Sequence, residues 1–249
     1  MISLRAKRDS PTRFPSVNGE DPKSSSLPQM NISEIQNLLN HADSTRRQKG
    51  ILALKDHDAE TAIPLLLSRK DDPEFLVRSF VAMGLGRKQS ADAFSALLGM
   101  MESDRDANVQ AEAANSLSLY GKISVTPLVR AFYNTNNWLV RRSILAAMLD
   151  LDAPAELLNI CLEATKDDDM TVVQAALDVV STLVGTEQED TALETVLAFA
   201  NDANWRTRMQ VAYSLKRFNR EAARQALITL RQDSHHKVVA AALEGLLPR

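Results

Sequence analysis

An all-α superhelix of about seven helical hairpins is the fold this sequence predicts, and three observations predict it. The first is a repeat. The stretch from Asn136 to Met148, NNWLVRRSILAAM, sets an apolar reference residue at Val140, Arg beside it, and apolar residues four, five and eight positions later. Looser copies begin at Val77-Arg78, Val109-Gln110, Val173-Gln174, Thr207-Arg208 and Val238-Val239, with a weaker one at Arg46-Arg47. From residue 77 onward the reference positions are 32, 31, 33, 34 and 31 residues apart, the period of stacked helical units that bury their apolar faces against their neighbours. The second observation is composition. Only 8 Gly and 9 Pro in 249 residues, with 45% hydrophobic content rich in Ala and Leu, favour helix over strand. The third is local spacing: Ala62, Ile63, Leu66 and Leu67, or Leu157, Leu158, Cys161 and Leu162, each form one apolar helix face.

Taken in order, residues 1–29 carry Pro11, Pro15, Pro22 and Pro28, five serines between positions 10 and 26, and few large apolar side chains. Such a segment buries too little to offset its ordering entropy, so it reads as a disordered tail ahead of a repeat domain over 30–249. Its Arg5, Lys7, Arg8 and Arg13 suit a partner-binding arm, while Asp9, Glu20 and Asp21 speak against a transit sequence. The simpler expectation is a dispensable tail, or an extension upstream of a start at Met30. Helix begins where Asn31 or Ser33 can cap a stripe of Ile35, Leu38 and Leu39. A partner helix over about 44–54 completes the first hairpin, and the rest fall near 59–86, 90–121, 123–150, 153–184, 187–217 and 220–247.

Two polar positions recur with the repeat. Asp72, Asp104, Asp168, Asp202 and Asp233 stand five residues before the reference position, where a carboxylate can accept from the free amides of a first helical turn and meet the positive end of its dipole. They are expected to be helix caps. Arg47, Arg78, Arg141 and Arg208 follow the reference position, with Gln110 and Gln174 in two copies. One long donor per repeat is expected to bridge to the preceding repeat's Asp or turn carbonyls, forming a ladder along the array.

Several chemistries find no support. A net charge of -3 from 29 basic and 32 acidic residues gives no overall field for nucleic acid. One cysteine, Cys161, excludes an internal disulfide and a multi-cysteine metal site, and fits a reducing compartment. It lies in an apolar stripe with no basic neighbour spaced to activate it. No apolar run reaches the ~20 residues that span a bilayer. His41, His57, His235 and His236 form no repeated His-Glu pair of the kind that holds di-iron. Gly84 and Gly86 read as the end of a helix, too close together for a phosphate loop. The acidic runs at 166–169 and 187–190 are loops or helix starts and lack an EF-hand pattern.

The recurring apolar residue, Arg, small residues and Leu at this period resemble HEAT repeats over about residues 31–247. Trp138-Leu139-Val140-Arg141 and Trp205-Arg206-Thr207-Arg208 more narrowly resemble the HEAT-like repeats of the cyanobacterial phycobilisome lyase family, where Trp-x-Val-Arg opens a second helix. That resemblance implies a bilin lyase subunit, a phycobilisome-degradation factor or an assembly adaptor. With the single cysteine and the absence of a spanning run favouring a cytoplasmic protein, it adds a place at or beside thylakoid complexes.

At about 100 degrees per residue, the positions two before, two after and six after the reference residue face away from the core, on the expected concave wall. That line carries Phe75, Ser79 and Met83; Ala107, Ala111 and Asn115; Trp138, Arg142 and Ala146; Thr171, Ala175 and Val179; Trp205, Met209 and Tyr213; and His236, Ala240 and Glu244. Both tryptophans lie on it, among residues that concentrate binding energy. The competing reading makes Trp138 and Trp205 wedges between repeats. The expectation is therefore a non-catalytic scaffold with a partner-binding groove of Phe75, Trp138, Arg142, Trp205, Arg206, Met209 and Tyr213, holding a phycobiliprotein, a phycobilisome component or an assembly factor, with no cofactor or metal. In the alternative, a bilin lyase or lyase subunit, the same groove holds an open-chain tetrapyrrole and offers it to a client cysteine, with Arg for a propionate.

Overall fold

A computed structural model describes residues 30–246, with side chains to residue 244; the expected tail over 1–29 lies outside the described residues. Fourteen α-helices follow one another, and among the described residues no strand occurs. The seven first helices of the hairpins are α1 (Ile32–Leu39), α3 (Ala59–Leu67), α5 (Ala91–Ser103), α7 (Val125–Asn134), α9 (Pro154–Ala164), α11 (Glu189–Ala198) and α13 (Glu221–Leu230). The seven second helices are α2 (Ser44–Ala53), α4 (Phe75–Lys88), α6 (Ala107–Ser118), α8 (Trp138–Met148), α10 (Met170–Val180), α12 (Trp205–Leu215) and α14 (His236–Leu246). Neighbouring second helices pack closely along the whole array, whereas neighbouring first helices meet sparsely. The superhelix therefore curves toward the second helices, whose outer faces line its inner wall.

The repeat pattern explains the core. In α8, Val140, Ile144, Leu145 and Met148 are buried, and in α4 the equivalent Val77, Val81, Ala82 and Leu85 are fully so. Each such residue removes apolar area from water at about 25 cal/mol per Å², and one continuous core runs from Ile35 to Ala242. Asn31 caps α1 in a reciprocal capping box with Glu34.

The fifth hairpin corrects the alignment. Helix α10 starts at Met170, and Val172, Ala176, Leu177 and Val180 take the buried positions, so the reference residue there is Val172, one earlier than expected. Position 110 keeps its Gln, but the donor position of this hairpin holds Val173, itself buried.

The recurring aspartates are not the caps they were expected to be. The N-caps stand two residues later, at Asp106, Asn137, Asp169 and Asn204, with side chains that accept from first-turn amides. Asp72, Asp104, Asp202 and Asp233 instead accept the backbone N–H of the cap-position residue, from Glu74, Asp106, Asn204 and His235 at 2.7–3.0 Å. In the fifth hairpin Asp167 plays this part for Asp169, and Asp168 is exposed.

Asp72, Asp104 and Asp233 also receive arginines, through both carboxylate oxygens, and the ladder runs forward, not backward as expected. Arg47 Nε and Nη2 donate to Asp72 of the following hairpin at 2.8 Å each. Arg78 does the same to Asp104 at 2.7 and 2.8 Å, and Arg208 to Asp233 at 2.6 and 2.9 Å. The Nη1 of each turns back to its own hairpin's loop carbonyls, such as Asp72 O for Arg78 and Asp202 O for Arg208, both at 2.7 Å. Arg141 reaches Thr135 O and Asp167. Gln110 keeps only the turn back, to Asp104 O. The two-pronged geometry satisfies guanidinium and carboxylate together, so the charges tolerate burial. Burial alone would raise the Asp104 carboxyl, yet the Arg78 fork and the Asp106 amide hold it below its ordinary value.

Gly84 and Gly86 are also placed differently: α4 continues to Lys88, so both lie inside it. A Cβ on Gly86 would come within 2.8 Å of Ser116 Cβ, and one on Gly84 within 2.8 Å of Leu66. These glycines let neighbouring helices approach closely.

Candidate functional site: the inner wall

The second helices run in the same direction, so the inner wall has two rims. One is formed by their N-terminal turns and the other by their C-terminal turns. The expected groove residues fall unevenly between surface and core. Trp138, first residue of α8, is 43% exposed, and among the described residues no ring stacks on it. Arg142 lies one turn on, exposed, with no carboxylate within ion-pair distance among the described residues. Phe75, Met209 and Tyr213 are half-buried and pack on the core. Ala111 is buried outright. With the corrected register, Met170 replaces Thr171 on the line and is 37% exposed, while Gln174 and Asp178 replace Ala175 and Val179, the latter buried. Met170 was missed because Val173, with Gln174 beside it, reads as the reference; the signal was Ala176, Leu177 and Val180 at four, five and eight after Val172, where counting from Val173 meets Asp178 and Ser181.

Trp205 has the wedge character of the competing reading. Its ring is half-buried and stacks on His235 of the next hairpin, centroids 3.9 Å apart and planes within 5°. His235 stacks in turn on His236 at 4.9 Å. The Arg206 guanidinium lies 4.6 Å from the indole centroid and Lys237 Nζ 5.3 Å, a cation–π arrangement on both partners. Helix α14 receives its cap from the same ring, because the Lys237 N–H donates to His235 Nδ1 at 3.3 Å. Burial, with His236 and Lys237 beside it, holds His235 below its ordinary 6.5. At Tyr213 the ring carries Lys216 Nζ at 5.0 Å.

The opposite rim mixes both charge signs, with Arg87, Lys88, Lys216 and Arg217 beside Glu112, Asp150, Asp178 and Glu244. Between α4, α6 and α8 an open cavity of about 430 Å³ is lined by Met83, Arg87, Glu112, Asn115, Leu119 and Asp150 among others. Burial raises the Glu112 carboxyl, with Arg87 opposing.

Away from the wall, Cys161 is buried in α9 and burial pushes its thiol far up, so it is a small core residue rather than a nucleophile. Among the described residues no three His, Cys, Asp or Glu side chains gather as a metal site. No described helix is long and apolar enough to cross a membrane.

No curated protein matches the chain in sequence. Among solved structures it is similar to Escherichia coli YibA, with 17% identity, TM-score 0.58, and coverage of 87% of this chain and 92% of that one. It is also similar to a chain in the complex of CpcE and CpcF of phycocyanin lyase from Nostoc sp. PCC7120, with 18% identity, TM-score 0.51, and coverage of 93% and 92%. At these identities the likeness is one of fold. In sequence, HEAT repeats match residues 67–149 and 161–247, well over half of the chain, and with the hairpin superhelix this establishes that the chain belongs to the HEAT-repeat family.

Proposed function

We propose that this HEAT scaffold is non-catalytic and grips a protein partner along the N-terminal rim of its inner wall. The single observation that carries the reading is Trp138: a large apolar ring left in water at the head of a second helix, with the unpaired Arg142 one turn behind it. An exposed indole beside a free guanidinium is the residue pair in which binding energy concentrates once a partner excludes water. Phe75, Met209 and Tyr213 offer further apolar edges along the wall, and Arg206 a second cation. The Trp-x-Val-Arg motif and the fold shared with the phycocyanin lyase complex support a partner from the light-harvesting apparatus: a phycobiliprotein, a phycobilisome component or a factor that assembles or dismantles one.

The likeness to that complex also favours a second reading, a lyase subunit that holds a bilin in the same groove. Mixing the protein with a free bilin separates the two. No change in visible absorption and no transfer to a phycobiliprotein leaves the scaffold; a shifted spectrum and a labelled client establish the lyase. For the scaffold itself the measurement is affinity for purified phycocyanin. Trp138→Ala should weaken it by about 2 kcal/mol, ~30-fold, as loss of a central anchor does, and Arg142→Glu should slow association. Unchanged affinity in both folded variants would sink the rim as the binding surface.

A further inference from the structure

The cluster at the head of α14 has a composition that packing alone does not require. Trp205, His235 and His236 form a continuous stack, and Arg206 and Lys237 both lie over the indole with their outer sides exposed. The charged groups around His235 are Arg206 and Arg208 from α12, Asp233 from its own loop, and His236 and Lys237 from α14. Of these, the one carboxylate, Asp233, is fully engaged by the Arg208 fork and the His235 N–H. Neither Arg206 nor Lys237 has a carboxylate partner among the described residues. Two cations beside two imidazoles, on a rim where helix N-termini add positive potential, lack a counter-charge among the described residues.

We propose that this stack, with Arg206 and Lys237, docks a carboxylate-rich segment of the protein partner and holds it more tightly as the pH falls. The occupant follows from charge complementarity. A run of Asp or Glu side chains supplies the missing anions to both cations while its backbone lies along the flat ring stack. The pH response follows from geometry. Neutral His235 accepts the Lys237 N–H on Nδ1 and so carries its proton on Nε2; a second proton can enter only at Nδ1, breaking that bond and adding charge beside Lys237. A bound carboxylate compensates that charge. By linkage, whatever binds better to the protonated form also raises the histidine's affinity for protons, so docking moves His235 back up from its lowered position.

This inference rests on the protein-binding reading but is tested apart from it, with poly-L-glutamate as the probe and a Trp138→Phe background that leaves Trp205 as the reporting indole. The full chain should respond in Trp205 fluorescence, with affinity rising ~tenfold between about pH 8 and about pH 6, the range in which histidine charges. The double variant R206E/K237E should lose ~tenfold or more, and R87E on the opposite rim should lose nothing. H235Q/H236Q should bind more weakly at pH 8, through the lost ring surface, and its affinity should no longer rise toward pH 6. Equal loss in R87E, a flat pH profile in the parent, or a response to phosphatidylserine vesicles with none to poly-L-glutamate would each overturn the proposal. Loss of phycocyanin in Trp138→Ala with an intact poly-L-glutamate response separates this surface from the apolar rim.

Discussion

Trp138 and Trp205 open equivalent helices with the same Trp-x-x-Arg spacing, and the fold treats them oppositely. The first stands in water; the second lies under an imidazole. The shared motif does not account for this, since each helix begins with the indole, buries the residue two positions on and sends its Arg to the next hairpin's Asp. The difference comes from the cap of the following repeat. After α8 that cap is Asp169, whose carboxylate is occupied by the Thr171 amide and offers no surface to a ring. After α12 it is His235, which caps α14 through Nδ1 and presents its flat face to the indole. In a solenoid each unit contacts only its neighbours, so a repeat motif specifies where a side chain is placed, and the next repeat decides whether it is free to bind.

The largest effect should come from the rung both helices share. Arg208 and Asp233 are largely buried and meet in two parallel bonds; Asp233→Ala leaves Nε and Nη2 without acceptors, only Nη1 keeping Asp202 O and Ala203 O, and should cost about 3 kcal/mol. Asp167→Ala should cost roughly half as much, because Arg141 makes one bond to Asp167 and keeps Thr135 O and Asn136. Urea unfolding of the two variants measures the gap, and equal losses would show that the fork adds nothing over a single contact. Acid reports on the same rung. The Arg208 fork, against the opposing effect of burial, lowers the Asp233 carboxyl from its ordinary 3.8. The unfolded chain therefore takes up the proton first: this stabilisation is complete above about pH 4 and is lost as the pH falls through the lower folded value. In Asp233→Ala that part of the acid transition should be missing.

Next in size is the pair of tryptophans. Trp205→Ala removes a half-buried ring, its stack on His235 and two cation–π contacts, for about 2 kcal/mol. Trp138→Ala removes a ring that is 43% exposed and carries no stacked partner among the described residues, and should cost about 1 kcal/mol. Thermal denaturation distinguishes them. Similar drops in Tm would mean that Trp138 is held by its neighbours after all and is no anchor for a partner.

How much of this was legible follows from which interactions are local. The helices, their order and the buried positions of α4, α6, α8 and α12 could be read because the 3.6-residue period and the repeat both lie along one chain segment. The slip at Val172 and Val173 arose because Gln174 resembles the long donor that follows the reference residue, and Asp168 then falls five before Val173. The apolar pattern itself favours Val172, since counting from Val173 puts Asp178 and Ser181 at core positions, and the Asp169 amide bonded to Asp167 agrees. The direction of the Arg ladder was not legible, since a long side chain reaches either neighbour and stacking geometry alone selects the forward Asp. Gly86 read as a helix end because its true reason, Ser116 on the next second helix, α6, lies 30 positions away in the chain. The candidate site divides the same way: the exposure of Trp138 and Arg142 could be read from their place on the helix, whereas the His235 stack needed the neighbouring repeat.

A single substitution tests whether the neighbour's cap decides exposure. His235→Asp gives the seventh hairpin the cap residue of the fifth, with a carboxylate that caps α14 at least as well as imidazole. The gain at the cap and the loss of the stack oppose one another, so stability should change by less than about 0.5 kcal/mol while the indole is uncovered. In a Trp138→Phe background, Trp205 emission should shift to the red and become more accessible to acrylamide, approaching the behaviour of Trp138 in the parent chain. The reciprocal Asp169→His should shield Trp138 and lower phycocyanin affinity without altering the Arg141 rung. An indole that stays shielded in His235→Asp would assign its cover to Arg206 and Lys237, and the contrast between the two helices would then originate in residue 206, where α12 has Arg and α8 has Leu139.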